Sequence, residues 1–192
     1  MIRRSLLSLG ILAASTLPAF AHLNPEEHGS LMAGFSHPLF GLDHILAMVA
    51  VGLWASQVGG RALWAIPCAF IGTMAIGFAL ALAGAHLPFV EPAILASVVA
   101  LGLLVAMAVR LDTALAAAAV SVFALFHGFA HGGELGSAGA IQFGIGFVVA
   151  TALLHIAGVA LGLAIPRISG GKIFARILGG ATALAGLALA FG

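Results

Sequence analysis

Residues 143–165 read FGIGFVVATALLHIAGVALGLAI, an apolar stretch without any Asp, Glu, Lys or Arg. A transmembrane helix needs about 20 apolar residues, so this stretch is long enough to cross a bilayer. Five other stretches have similar length and character, at 38–57, 62–83, 92–109, 113–131 and 173–191. Short segments with charge, Gly or Pro separate them, as expected of links between helices. We therefore predict an all-α membrane protein, a bundle of six transmembrane helices.

The composition excludes several classes of protein. Of 192 residues, 62% are hydrophobic and 7% are charged, whereas soluble proteins average about 25% charged residues. A soluble enzyme is therefore excluded. The formal charge of +1 provides no basic surface for nucleic acid, and the sequence has no phosphate-binding loop for a nucleotide. The lipid bilayer is the expected partner, and the single cysteine, Cys68, excludes a disulfide framework.

The first 21 residues have the features of a secretory signal peptide. Arg3 and Arg4 form a basic start, an apolar stretch shorter than a span follows, and Ala21 ends a pattern of small residues. We expect cleavage after Ala21, which leaves residues 22–192 as a single six-helix transmembrane domain. An uncleaved first helix is the alternative, and both interpretations place residue 22 outside.

Polar residues just after the cleavage site could capture a metal ion. Cleavage makes His22 the N-terminal residue, whose amine and imidazole could chelate a metal together. The candidate capture site consists of His22, Glu26, Glu27 and His28. Helix capping is the alternative explanation for the acids, because Asn24-Pro25 is a typical helix start with acids in the following turn.

The positions of the basic residues predict the orientation of the bundle. Lys and Arg collect on the cytoplasmic side of short links. With residue 22 outside, one side of the membrane receives Arg61, Arg110, Arg167, Lys172 and Arg176. The links around Glu91 and Glu134 contain no Lys or Arg and face the other side. We therefore expect both mature termini to be periplasmic, in a multi-pass protein of the bacterial inner membrane.

The segment His37-Pro-Leu-Phe-Gly-Leu-Asp-His44 brings polar chemistry into the first predicted span. Asp43 is a carboxylate inside an apolar stretch, and a charge at the bilayer centre costs roughly 2.5–3.5 kcal/mol, so such residues indicate function. His37 and His44 are seven residues apart and share a helical face. Pro38 disfavours helical geometry at the preceding residue, so we expect His37 to cap the span and Gly41 to loosen the turn. A helix broken beside such ligands is typical of ion sites in transporters.

A second cluster lies in Phe126-His-Gly-Phe-Ala-His-Gly-Gly-Glu134. His127, His131 and Glu134 are at positions i, i+4 and i+7, so they share one helical face. Two imidazoles four residues apart on a helix can hold one divalent metal. His155, in the middle of residues 143–165, is a further candidate, although a lone buried histidine can also be structural.

The candidate ligands occupy three predicted depths. The outer rim holds His37, His131 and Glu134. One or two turns further in lie Asp43, His44 and His127, and His155 lies near the midplane. Ligands ordered in this way along helices predict a path for import.

Imidazole and carboxylate without thiolate suit nickel, cobalt or zinc, and the residues leave that choice open. One alternative function is an intramembrane zinc hydrolase in which His44, His127 and His131 hold the metal and Asp43 activates water. A haem-binding electron carrier is another, although its axial histidine would not ordinarily have a carboxylate beside it. Ligands at several depths favour a permease over an enzyme, with no permanently bound cofactor.

Three segments resemble the HupE/UreJ family of hydrogenase and urease accessory proteins: His37-Pro-x-x-Gly-x-Asp-His44, Phe126-His-Gly-x-Ala-His-Gly-x-Glu134 and His155-x-x-Gly-x-x-x-Gly162. The resemblance implies a permease for nickel (Ni²⁺) or cobalt (Co²⁺) in the bacterial inner membrane, which supplies nickel enzymes. It also implies that six residues carry the transported ion: His37, Asp43, His44, His127, His131 and Glu134.

Gly-x-x-x-Gly pairs occur at Gly128/Gly132, Gly132/Gly136 and Gly158/Gly162. This spacing lets helices approach closely. We expect the pairs to pack helices within one bundle. They are compatible with a homo-oligomer but do not indicate one.

Overall fold

The structure is a computed structural model of the chain and describes residues 30–135 and 139–192. Two predictions lie outside the described residues. These are the signal peptide at residues 1–21 and the capture site formed by His22, Glu26, Glu27 and His28.

The described residues form α-helices and one short 3-10 turn, Ile165–Arg167, without strands. The helices are α1 Leu31–Phe40, α2 Leu42–Val58, α3 Ala62–Leu82, α4 Val90–Met107, α5 Thr113–Leu135, α6 Ala140–Ala164 and α7 Gly171–Phe191. The predicted all-α class is therefore confirmed for this part of the chain.

Five helices, α3 to α7, are each long and apolar enough to cross a membrane. At 1.5 Å per residue, even an 18-residue helix is about 27 Å long, close to the thickness of the hydrocarbon layer. Helices α1 and α2 pass the same test together and are bent by 81° at the break between them. Counted as one broken span, this pair makes six spans, in agreement with the sequence.

The first span differs from its prediction as one helix over 38–57. The chain is already helical from Leu31, where the Ser30 side chain accepts a hydrogen bond from the Ala33 amide at 2.9 Å. Gly41 then interrupts the helix with an extended conformation (φ −80°, ψ 113°). A Cβ on Gly41 would lie only 3.0 Å from side-chain atoms of both Asp43 and His44. Glycine at this position therefore leaves space for these two polar side chains.

The prediction that His37 caps the span is wrong. His37 and Pro38 both lie inside α1, and the helix ends three residues after His37, at Phe40. The steric preference imposed by Pro38 is modest and is overridden here by the helix that begins at Leu31. The turn at Gly41, which the sequence analysis expected to be loosened, is a complete break.

The predicted end of the fifth stretch at residue 131 is also wrong, because α5 continues to Leu135. Gly132 and Gly133, interpreted as a link, are helical. A Cβ on Gly132 would overlap the backbone carbonyl of Phe78 in α3. The glycine therefore provides a close helix contact and does not end the helix.

Glycine contacts hold the bundle together. Helix α3 packs on α5 where Gly77 meets the carbonyl of Leu125 and Gly128 meets the carbonyl of Met74. Helix α4 packs on α7 in the same way, with Gly102 against Gly179. Such small residues let backbones approach where no hydrophobic force drives helices together in lipid.

Helices α2 and α6 use the same device. Gly52 and Gly158 pack against each other, and Gly162 packs against the side chain of Ser56. The expected packing of Gly128/Gly132 and Gly158/Gly162 within one bundle is confirmed, whereas Gly136 lies outside the described residues.

We expect Gly77→Ala to lower the stability of the bundle, because the added methyl group would overlap the carbonyl of Leu125. Overpacking of this kind costs about 1–3 kcal/mol. Gly72→Ala, in the same helix, is the matched control, since nothing lies within 4 Å of its Cβ position. The measurement is the thermal unfolding midpoint of both purified variants. Equal midpoints for the two variants would show that α3 and α5 do not pack through Gly77.

Candidate metal-binding site

Four histidines from three helices meet where α1 and α2 are joined. His37 comes from α1, His44 from the first turn of α2, and His127 and His131 from α5. The His131 ring is centred 4.4 Å from that of His37 and 4.7 Å from that of His44. His44 is also 5.1 Å from His127 and 5.9 Å from His37. We call these four residues the histidine cluster.

The bend between α1 and α2 produces this convergence. Because the two helices are inclined by 81° at Gly41, His37 and His44 approach the end of α5 from different directions. The spacing of His127 and His131 puts both imidazoles on one face of α5, as predicted. The cluster is therefore built from two distant sequence segments, both of which the sequence analysis identified.

The shortest contact of the cluster joins the Nε2 atoms of His44 and His131, 2.7 Å apart. Only one of these nitrogens can carry a proton, since two N–H groups cannot point at each other across a hydrogen bond. Asp43 Oδ1 lies 3.1 Å from Nδ1 of His44. The Asp43 side chain is partly exposed, with 29% of its surface accessible, whereas only 4% of the His44 side chain is accessible. The His44–Asp43 pair therefore carries the negative charge of the carboxylate on its more exposed side.

The histidine cluster provides ligands in pairs and does not form a complete coordination site. At metal–nitrogen distances of about 2.0–2.1 Å, two ring nitrogens on one ion are roughly 2.9–3.4 Å apart. The 2.7 Å separation of His44 and His131 is shorter, so the two rings must part by a few tenths of an ångström to share an ion. Among the side chains that the structure describes, which do not include that of Glu134, no three His, Cys, Asp or Glu are arranged to hold a metal.

Ser97 of α4 orients the imidazole of His127. Its hydroxyl oxygen is 2.6 Å from the carbonyl oxygen of Ile94 and 2.9 Å from Nε2 of His127. A carbonyl can only accept, so the single hydroxyl proton is donated to Ile94, and His127 must donate its Nε2–H to Ser97. Nδ1 of His127 then carries the lone pair, and it is buried without a hydrogen-bond partner. A histidine in this state is ready to bind a metal through Nδ1.

His155 lies deeper, behind an aromatic ring. The Phe70 ring is centred 5.7 Å from His127 and 5.1 Å from His155, so it contacts both imidazoles. His155 is 1% exposed, and neither ring nitrogen has a hydrogen-bond partner. A buried imidazole with both nitrogens unpaired is costly as a purely structural residue.

Two further phenylalanines, both in α6, border the cluster. The Phe147 ring is 4.9 Å from His131 and 6.2 Å from His44, and Phe143 is 6.0 Å from His37. These rings shield the imidazoles from lipid on that side. Sequence analysis did not single them out, because Phe occurs in five of the six predicted spans.

The structure alters the predicted order of depths. His131 touches both His37 and His44, so the predicted rim and the next level form a single cluster. Glu134 lies in α5, but its side chain is outside the described part of the structure. Ser97 was also missed, although a polar residue inside the apolar stretch 92–109 is a signal that could have identified it.

Comparison with known proteins finds similarity over most of the chain. The family model described as HupE / UreJ protein matches residues 9–189. Protein HupE of Rhizobium leguminosarum bv. viciae is 50% identical over 184 residues, which covers 94% of this chain and 95% of that protein. No solved structure matches the chain.

The match extends over nearly all of the chain and includes all the segments that build the histidine cluster. Together with 50% identity to a curated relative, it establishes that this multi-pass membrane protein belongs to the HupE/UreJ family.

Proposed function

We propose that the protein is a secondary permease that imports a divalent transition metal ion, Ni²⁺ or Co²⁺, across the bacterial inner membrane. The imported ion supplies nickel enzymes such as hydrogenase or urease. The observation that carries the proposal is the meeting of four imidazoles beside the carboxylate of Asp43 at a helix break within the membrane. Membership of the HupE/UreJ family supports an accessory and transport role over catalysis.

The ligand set suits this cargo. Imidazole and carboxylate bind borderline divalent ions, and thiolate is absent from the cluster. Asp43 makes its ion-pair contact with His44, and no Lys or Arg among the described residues neutralises it. The resulting negative potential at the exposed side of the histidine cluster favours a divalent cation over an anion.

The arrangement suggests a sequence of handovers. The ion first separates the imidazoles of His44 and His131 and binds between them, next to the carboxylate of Asp43. It then passes to Nδ1 of His127, which is kept unprotonated by the hydrogen bond to Ser97. His155 receives it on the far side of Phe70. Each stage offers few ligands, which keeps binding weak enough for release.

A zinc hydrolase built from His44, His127, His131 and Asp43 is not favoured. It needs three ligands on one tightly held ion with an open position for water. Among the described side chains, no three His, Cys, Asp or Glu are arranged to hold a metal, and the nearest imidazole pair is in mutual contact. This geometry fits transient capture better than a resident metal.

The orientation proposed with the permease keeps both mature termini in the periplasm and the basic links in the cytoplasm.

Initial uptake of radiolabelled Ni²⁺, Co²⁺ and Zn²⁺ into cells with and without the chain tests the proposal. We expect Asp43→Asn to reduce uptake at least tenfold at equal membrane abundance, because it preserves shape and removes the charge that attracts the ion. Asp112→Asn is the matched control, since that exposed carboxylate caps α5 far from the cluster. Equal uptake in all strains would contradict a transport function, and full transport by Asp43→Asn would exclude the carboxylate as a ligand.

A second experiment tests whether His44 and His131 act as one unit. We expect His44→Ala and His131→Ala each to reduce the initial rate strongly, and the double variant to be no worse than the more damaged single variant. His86→Ala, in the exposed link between α3 and α4, serves as the neutral control. Reductions that multiply in the double variant would mean that the two residues serve separate stages.

A third experiment addresses Ser97. We expect Ser97→Ala to reduce uptake by about 10- to 100-fold, the usual effect of removing a residue that orients a metal ligand. The tautomer of His127, read from ¹⁵N chemical shifts of the purified protein, should then no longer be fixed as Nε2–H. Ser56→Ala is the control, because its hydroxyl makes the same local bond, at 2.6 Å to Leu53, without a histidine. An unchanged tautomer in Ser97→Ala would refute the orienting role.

A further inference from the structure

A second polar region lies at the opposite end of α2 from the histidine cluster. A cavity of about 350 Å³ opens there between the end of α2, the link after α4 and the turn before α7. Three basic side chains line it, those of Arg110, Lys172 and Arg176. A water molecule occupies roughly 30 Å³ of liquid, so the cavity has room for a ligand several times larger than water.

This concentration of positive charge has no acidic counterpart in the described residues. No carboxylate lines the cavity, and none of its three basic residues forms a salt bridge. Asp112, the nearest acid in sequence, is occupied in capping α5, where its Oδ1 accepts from the amides of Ala114 and Leu115 at 3.1 and 3.0 Å. The cavity therefore offers three basic side chains to an anion from outside the chain.

The cavity walls are held in place by hydrogen bonds. Nε of Arg176 donates to the carbonyl of Ala106 at 2.7 Å, which fixes the guanidinium on the wall. Gln57 donates through Nε2 to the carbonyl of Val105 at 3.1 Å. The Gln57 side chain is thereby held between the end of α2 and α4, and it forms part of the cavity wall.

The rest of the lining is apolar and includes Leu53, Pro166 and Ala175. A free metal cation is repelled by three positive charges, and a small soluble anion leaves the apolar wall uncovered. A ligand that carries both a phosphate and hydrocarbon matches the basic and the apolar parts of the lining. Basic pockets between helices at a membrane surface bind anionic lipid headgroups in this way. We propose that this cavity binds the headgroup of an anionic phospholipid.

The test uses the purified full-length chain in detergent with added phosphatidylglycerol or phosphatidylcholine. We expect phosphatidylglycerol to raise the thermal unfolding midpoint of the wild type, and phosphatidylcholine or inorganic phosphate to have little effect. Lys172→Gln and Arg110→Gln should each weaken phosphatidylglycerol binding several-fold, and the double variant at least tenfold. These positions avoid Arg176, whose bond to Ala106 also contributes to packing.

The matched control is the double variant Arg61→Gln/Arg167→Gln, which removes two exposed charges outside the cavity. It should bind phosphatidylglycerol like the wild type, and native mass spectrometry should find the lipid retained on both proteins. Equal weakening by both double variants would reduce the effect to general surface charge and overturn the proposal. A shift produced equally by inorganic phosphate would overturn it in favour of a soluble anion.

Discussion

The need to bury imidazoles and a carboxylate inside an apolar bundle governs this structure. Polar groups in a membrane interior must find partners within the protein, and the break at Gly41 makes this possible. A continuous helix would carry His37 and His44 along one direction, whereas the 81° bend turns them towards each other and towards α5. Asp43 and His44 then pack in the space that a side chain at Gly41 would occupy. The break at Gly41 therefore brings the histidines together, and the absence of a side chain there leaves the space that Asp43 and His44 occupy.

The histidine cluster depends in turn on how closely the helices pack. Gly128 lies between His127 and His131 in sequence and meets the backbone of Met74. This contact fixes the position of α5 against α3, and with it the depth at which both imidazoles face α2. A larger residue at position 128 would move α5 outwards and lengthen the 2.7 Å contact between His44 and His131. Glycine at position 128 therefore influences the geometry of the histidine cluster through the spacing of α5 and α3.

Much of this arrangement could be predicted from the sequence, because bilayer thickness dictates span length and helical periodicity dictates which residues share a face. The helices, the histidines and Asp43 were found in this way. The contact between His44 and His131 could not be, since periodicity within one helix does not reveal which helices are neighbours. The boundaries at Gly41 and Leu135 were misjudged because glycine in a membrane helix can mark either a break or a close contact. A break and a close contact can be distinguished only from the backbone of the neighbouring helix that faces the glycine.

The two ends of α2 have opposite charge, and this asymmetry constrains any route for a cation. The Asp43 carboxylate lies at the histidine cluster, while Arg110, Lys172 and Arg176 surround the other end. With an effective dielectric constant of about 20, a divalent ion at roughly 10 Å is repelled by each such charge by on the order of 3 kcal/mol. All three side chains are solvent-exposed, so screening reduces this repulsion, but it still opposes the approach of a cation to that end of α2. In the proposed permease, an anion bound in the basic cavity would lower this barrier, and the lipid composition of the leaflet would then affect the rate at which the ion leaves.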